Sequence, residues 1–283
     1  MARAGDIHAL PRAGIEKRPD RTAAPWWLRP LYDLYERRLL GQIRGRPLPR
    51  HVALILDGNR RSARKRGLTD SRTIYDRGAR KLDDVLVWCV ELGIGAMTLW
   101  VCSTENLARS ADEVSGILGA VEAKVGDLAC DPWIHRHQVR VEAIGRLDLL
   151  PQSTLAAIGR AQRATESYRA MTLTIAIGYG GREEICDAVR SLLAEQAEEG
   201  ASAAEAIERV TPEAIDQHLY TADLPDPDLI IRASGEICLS GFLLWQSARS
   251  EFYFTDVSWP ELRKLDFLRA LRSFQGRNRR FGL

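Results

Sequence analysis

The sequence predicts an α/β protein folded as a single domain, with a mostly parallel six-stranded sheet flanked by helices. Six short runs carry the apolar character of strands: "HVALIL", "AMTLWVCS", "QVRVEAIG", "MTLTIAIGY", "PDLIIRAS" and "SEFYFTD". Most are separated by stretches whose apolar residues recur at helical spacing. The chain of 283 residues is 45% hydrophobic and 28% charged, and no repeat or low-complexity linker divides it. One domain with a sizeable core is therefore the simplest organisation.

Each element has a local reason. Residues 1–24 mix Arg, Ala, Gly and Pro without periodicity and read as a flexible arm. Residues 25–50 carry "PWWLRPLYDLYERRLLGQIRG", in which Leu28, Leu31, Leu34, Tyr35, Leu39 and Ile43 approximate one helical face. A basic amphipathic helix of this kind can touch a membrane surface; packing on its own domain is the favoured reading. Residues 51–283 hold the alternating strands and helices. "YDRGARKLDDVLVWCVELG" reads as a helix ending at Gly93. "SADEVSGILGAVEAKVGDLA" has Ser110 as its cap and Glu113 three residues on, a capping-box pattern. "PQSTLAAIGRAQRATES" opens on Pro151, and "TPEAIDQHLY" is capped by Thr211. "GREEICDAVRSLLAEQAEEG" and "LDFLRALRSFQGRNRRF" complete the helices.

Composition excludes several classes. A net charge of +2 implies no general attraction to nucleic acid. The five cysteines, Cys89, Cys102, Cys130, Cys186 and Cys238, form no CxxC pair, which argues against structural zinc and a disulfide framework. His135 and His137 alternate near a strand edge and read as solvated. No apolar run is long enough to span a bilayer, and the N-terminus lacks the apolar core of a signal peptide. The expected location is the cytoplasm.

Four polar clusters sit at predicted strand ends. Asp57-Gly58-Asn59-Arg60-Arg61 follows the first strand. A glycine before a helix start lets backbone amides approach a phosphate, and the two arginines can chelate its oxygens. Asp57 fits a divalent cation bridging to that anion; a basic helix start with an aspartate cap is the plainer alternative. "CSTENLARS" supplies Ser103, Glu105, Asn106 and Arg109, equally readable as a capping turn. "GYGGREEI" places Gly180, Gly181 and Arg182 at a helix start, more simply a tightened strand-to-helix turn. Around the last two strands lie Arg232, Ser234, Gly235, Glu236, Ser240 and Glu251. These could form a second anion site, with Glu251 as a metal ligand.

Taken together, the runs "HVALILDGNRRSARKRG", "STENLAR", "IGYGGREEI", "DPDLIIRASGE", "LSGFLLWQSARSEFYFTDVSWP" and "RNRRFG" resemble the cis-prenyltransferase family, the undecaprenyl diphosphate synthase relatives. They span His51 to Gly282 in the family's order. The short-chain branch that makes Z,E-farnesyl diphosphate is the most similar. The resemblance implies a catalytic domain over residues 51–283 with a hydrophobic tunnel, and a homodimer. It also implies Mg²⁺-assisted condensation of an allylic diphosphate with isopentenyl diphosphate. Asp57 and Asn106 would be catalytic, Asp57 also a metal ligand together with Glu251. Gly58, Asn59, Arg60, Arg61, Ser103 and Arg109 would serve the allylic diphosphate and the reacting groups. Arg232 and Ser240 would hold isopentenyl diphosphate. Arg280 and Gly282 match a C-terminal element that reaches a neighbouring subunit's site.

The sequence departs from the family at three places. Cys238 stands where a second isopentenyl-binding arginine is usual, Ser62 replaces a tryptophan, and Arg146 replaces an aspartate. Arg249 is a nearby added charge, most simply a solvated one. Val101 occupies a position of alanine in long-chain members and leucine in the farnesyl branch. Strand alternation predicts Val101 and Ser103 on one face and Trp100 and Cys102 on the other. A stiff valine facing the tunnel implies a short product. Two other readings remain: an irregular coupling, cyclisation or diphosphate-removing enzyme on the same fold, and a non-catalytic partner of an active homologue.

Overall fold

The computed structural model describes residues 29–276. The expected arm over residues 1–24, and Arg280 and Gly282, lie outside them. The chain enters through helix α1 (Arg29–Ile43) and strand β1 (His51–Ile55). Helices α2 (Asn59–Lys65) and α3 (Ser71–Leu92) lead to β2 (Ala96–Cys102). A single turn, α4 (Thr104–Leu107), precedes α5 (Ala111–Cys130), α6 (Pro132–Arg136) and β3 (Val139–Ile144). Then come α7 (Gln152–Thr165), β4 (Met171–Ile177), α8 (Gly181–Glu198), α9 (Ala203–Glu208) and α10 (Pro212–His218). β5 (Leu229–Arg232), β6 (Glu251–Phe254) and α11 (Lys264–Gly276) close the described chain.

All six strands run parallel, in the order β3-β4-β2-β1-β5-β6. β1 is buried at every position, as a central parallel strand covered on both faces should be. Its neighbours diverge: the chain moves to β2 on one side and later to β5 on the other. That reversal opens a crevice beyond the carboxyl end of β1, where ligands bind in open parallel sheets. Asp57 lies two residues past that end.

The helices form where their ends are satisfied. Asp70 accepts the Thr73 amide and starts α3 at Ser71, four residues before the predicted start. Gly93 stops it in the left-handed conformation, at φ 72°. Ser110 caps α5 by accepting the Glu113 amide. The reciprocal half of the expected capping box is not made, because the Glu113 carboxylate turns to Tyr75 and Arg109. α6 corrects the reading of His135 and His137: they lie on a helical turn, bonded to Tyr168, Ala129 and Trp133. α9 was not anticipated, since its six residues are too few to show a period.

α1 packs on its own domain. Leu39 and Ile43 are fully buried, and Arg263 donates to the Tyr32 hydroxyl at 2.7 Å. Arg269 lies over the Tyr35 ring, and Gln275 donates to the Ile43 carbonyl. Leu31 and Leu34 stay exposed, so the apolar face is narrower than the sequence suggested. Among the described residues, no helix is long and apolar enough to cross a membrane.

His51 pins the start of β1. Its ring is 1% exposed and lies 2.6 Å from the Pro225 carbonyl and 2.9 Å from the Thr98 hydroxyl. The carbonyl can only accept, so Nδ1 carries the proton and Nε2 accepts from Thr98. Burial holds the ring below its ordinary pKa, against opposing help from Pro225 and Asp228. The unfolded chain therefore binds the extra proton first as pH falls. The contribution of His51 is complete above about pH 6.5 and is lost as pH drops through that value. Melting temperatures measured from pH 8 to pH 5 should fall below about pH 6.5, and His51→Asn should flatten that part of the curve. An unchanged slope in the variant would assign the acid sensitivity elsewhere.

Candidate active site

A cavity of about 600 Å³ fills the crevice beyond β1 and β2. Arg60, Arg61, Arg64, Arg109 and Arg232 line it, with Asp57, Glu105 and Glu236 as the lining carboxylates. Five guanidiniums against three carboxylates make an anion-attracting space.

The backbone sets the first wall. Gly58 takes φ 92° as the N-cap of α2. A Cβ there would meet the Ser258 and Ser234 hydroxyls at 2.7 and 2.8 Å, so only glycine fits. The Trp259 amide donates to the Asp57 carbonyl at 2.9 Å and fixes the loop from below. Asn59 donates to the Leu56 carbonyl at 3.0 Å, while its Oδ1 is buried without a partner.

Arg232 is the hub. It is 7% exposed, and its Nε and Nη2 reach Asp57 Oδ2 at 2.9 and 2.7 Å. Nη1 donates to Ser240 Oγ at 2.7 Å, to the Cys238 carbonyl, and approaches Cys238 Sγ at 2.9 Å. Arg61 donates to the Ser234 carbonyl at 2.5 Å and pairs with Glu236 at 3.3 Å. Across the cavity, Glu113 accepts from Tyr75 at 2.8 Å and Arg109 at 2.6 Å, with Arg60 at 3.4 Å. Burial alone would raise the Glu113 carboxyl; Tyr75 and the two arginines outweigh it and hold it low. Ser103 and Asn106 cap α4 reciprocally, at 3.2 and 3.3 Å. The capping reading of that motif is thus realised at residues that also line the cavity.

A second, narrow cavity of about 60 Å³ lies behind the first. Leu56, Asn59, Tyr75, Val101 and Ile117 line both. The rest of its wall is mainly apolar, from Leu82, Leu99, Val121, Val125 and Ile175. The polar and apolar spaces are therefore adjacent, with Leu56, Asn59, Tyr75, Val101 and Ile117 as their shared wall.

The family model described as "Putative undecaprenyl diphosphate synthase" matches residues 55–282. The chain belongs to this prenyltransferase family. An isoprenyl transferase of Thermus thermophilus is 56% identical over 254 residues, covering 90% of this chain and 96% of the relative. A (2Z,6E)-farnesyl diphosphate synthase of Thermobifida fusca is 51% identical over 253 residues, covering 89% and 97%. Among solved structures, lavandulyl diphosphate synthase from Lavandula x intermedia, in complex with dimethylallyl diphosphate, superposes with a TM-score of 0.76. That match has 34% identity and covers 83% of this chain and 99% of the other.

In this prenyltransferase the predicted site residues separate into three groups. Asp57, Gly58, Asn59, Arg60, Arg61, Val101, Ser103, Asn106, Arg109, Arg232 and Ser240 all line the polar cavity. Glu251 does not. It opens β6 opposite Leu229, three residues before the Arg232–Phe254 level, so it lies about 10 Å down the strand from the hub. Glu251 is thus the one predicted site residue among the described residues that does not line this cavity. Arg280 and Gly282 lie beyond the described residues.

The face assignment on β2 is corrected at Cys102. Trp100 packs with Phe242 on the face opposite Val101, as expected, but Cys102 joins the core on the Val101 side, where the register with β4 shifts between Trp100 and Cys102. The irregularity breaks the alternation that the sequence implied. Sequence reasoning missed Arg64 and Tyr75 as lining residues. Arg64 could have been found one turn beyond Arg60; Tyr75 depends on where α3 packs. The GYGG run does not cradle the cavity. Gly181 donates to the Gly241 carbonyl at 2.8 Å and lacks room for a Cβ, so it braces the Ser240 loop.

The departures have local partners. The Ser62 hydroxyl is buried and donates to Glu261 at 2.8 Å, alongside Arg66 and Arg77. Arg146 pairs with Asp148 at 2.7 Å. Arg249 is exposed and does not line the cavity, so its charge does not replace the arginine lost at Cys238.

Gly58→Ala should destabilise the fold by about 1–3 kcal/mol through backbone strain and the Ser258 clash. It should also weaken diphosphate binding, checked by thermal melting and by calorimetric titration of inorganic pyrophosphate. Wild-type values for both would show that the loop tolerates a Cβ.

Proposed function

We propose that this prenyltransferase condenses an allylic diphosphate with isopentenyl diphosphate and releases a short cis-prenyl diphosphate. One observation carries the reading: an arginine-lined cavity shares a wall with a narrow apolar one. A diphosphate head and a hydrocarbon tail on one molecule need that pairing of spaces.

The reaction breaks the allylic carbon–oxygen bond and forms a carbon–carbon bond to isopentenyl diphosphate. The bonding pair of the broken bond leaves with diphosphate, and the new carbon skeleton loses one proton. Negative charge grows on the leaving group, so arginines already in place favour the transition state over the ground state. Arg60, Arg61 and Arg109 would hold the allylic diphosphate, and Arg232 with Ser240 the isopentenyl diphosphate. Asn106 would orient the reacting groups. The apolar wall from Val101, Ile117 and Leu99 would keep water from the allylic cation.

The donor set fits Mg²⁺. Asp57 offers a single carboxylate, and no group of three or more ligating side chains occurs among the described residues. Magnesium binds in this manner, with one or two carboxylates, substrate phosphate oxygens and water. When bound, the ion would neutralise charge on the departing diphosphate. A cytoplasmic homodimer, with Arg280 and Gly282 completing a neighbouring copy's site, belongs to the same proposal by resemblance.

Purified protein with Mg²⁺, dimethylallyl, geranyl or farnesyl diphosphate and labelled isopentenyl diphosphate should give short labelled prenyl diphosphates. Products formed without isopentenyl diphosphate would favour irregular coupling, and undecaprenyl-length chains would overturn the short product. Asp57→Ala should lower turnover roughly 100–1,000-fold or more while the fold persists. Near-normal turnover in that variant would sink the mechanism. Cys238→Arg should lower the KM for isopentenyl diphosphate on the order of tenfold, by adding a charge-assisted contact to the diphosphate. No change would show that Arg232 and Ser240 suffice.

A further inference from the structure

The narrow cavity is built from two helix faces and one strand. From α3 it takes Tyr75, Gly78, Ala79 and Leu82; from α5, Ile117, Ala120, Val121, Lys124 and Val125. Both sets follow the spacing of a single helical face. Both helices start at the carboxyl end of the sheet and run toward its amino end. Tyr75 and Ile117 border the polar cavity, so later residues on each helix lie deeper.

Lys124 is the exception on the α5 face. Every other residue that α5 gives to this cavity is apolar. Lys124 lies seven residues beyond Ile117, about 10 Å further down the helix. Its side chain is 12% exposed, and its ammonium pairs with Asp83 of α3, itself 20% exposed. Asp83 is eight residues beyond Tyr75, about 12 Å along α3. The pair therefore bridges the two helices at the deep end of the cavity. The lysine stem continues the apolar wall while its head crosses the gap.

We propose that the Lys124–Asp83 ion pair is the floor of the prenyl cavity and limits product length. The proposal rests on the prenyltransferase reading above and adds a residue pair to it. A tail that reaches the pair must separate two largely buried charges or stop. Separating them leaves each charge in a poorly solvated place, which costs more than the added methylenes return. Small residues near the entrance, Ala79 and Ala120, leave room for the first units, and Val101 narrows the neck. Entrance and floor are thus set by different residues.

The test removes both charges together, so that neither is left unpaired. Lys124→Ala/Asp83→Ala is compared with the wild type in two assays. In the first, dephosphorylated products are separated by length. The double variant should extend them by at least one isoprene unit. In the second, geranyl, farnesyl and geranylgeranyl diphosphates are titrated calorimetrically without isopentenyl diphosphate. The variant should bind geranylgeranyl diphosphate on the order of tenfold tighter than the wild type does, with geranyl affinity unchanged. If the double variant does not fold, Lys124→Met keeps most of the stem, removes the ammonium and should shift both readouts in the same direction. A shifted affinity ladder in a protein that makes no condensation product would support the floor and overturn the proposed reaction. Unchanged products and an unchanged affinity ladder, in a folded variant of a wild type that does condense, would overturn the floor alone.

Discussion

The contact between Asp57 and Arg232 organises the functional end of the molecule. Arg232 ends β5 with a guanidinium that is almost fully buried, and Asp57 lies just beyond β1. A buried cation is tolerated only with partners, and here the Asp57 carboxylate supplies the charge. The same guanidinium spends its remaining donors on Ser240 and the Cys238 carbonyl. One side chain thereby ties the β1 loop to the loop after β5. Under the proposed function a diphosphate would compete with Asp57 for the Arg232 guanidinium, and a cation would compete with Arg232 for Asp57. The contact keeps both charges compensated.

Holding Ser240 in place requires backbone geometry that side chains alone would not favour. Ser234, Ser240 and Leu243 all have positive φ, at 76°, 51° and 45°. Such conformations persist where surrounding structure over-determines them. Gly181 supplies that constraint from α8, through its bond to Gly241. Beneath it, Glu184 is fully buried and accepts from Tyr179, the Tyr220 amide and Gln246. Burial pushes its carboxyl up, and this full set of donors makes a buried acid acceptable there. Trp100, stacked on Phe242 at 5.2 Å, joins the same layer to β2. The GYGG run therefore acts on the site through the loop it braces.

Much of this was legible in the residues. Strand runs of Val, Ile and Leu gave a covered parallel sheet, because parallel strands need apolar residues on both faces. Ser110, Thr211 and Gly93 marked helix ends by capping chemistry that acts within one turn. The residues at Asp57–Arg61, Ser103–Arg109 and Arg232–Ser240 are polar at strand ends, and a switch point in the sheet brings such ends together. Other features were hidden. The irregularity in β2 depends on pairing with β4, so alternation along β2 alone placed Trp100 correctly and misplaced Cys102. Glu113 looked like half of a capping box, yet arginines from two directions compete for it.

The sequence by itself determined the fold class, the element types and the chemistry available at the strand ends, because these follow from local periodicity, capping and residue type. Tertiary structure alone decided which of those groups share a space. The register of β6 takes Glu251 about 10 Å from the hub, although it stands among residues that resemble a diphosphate site. The packing of α3 against α5 brings Tyr75 to the cavity wall and joins Lys124 to Asp83. Those partners are about 40 residues apart in the chain, and their distance is set by how two helix faces meet, which no local pattern encodes.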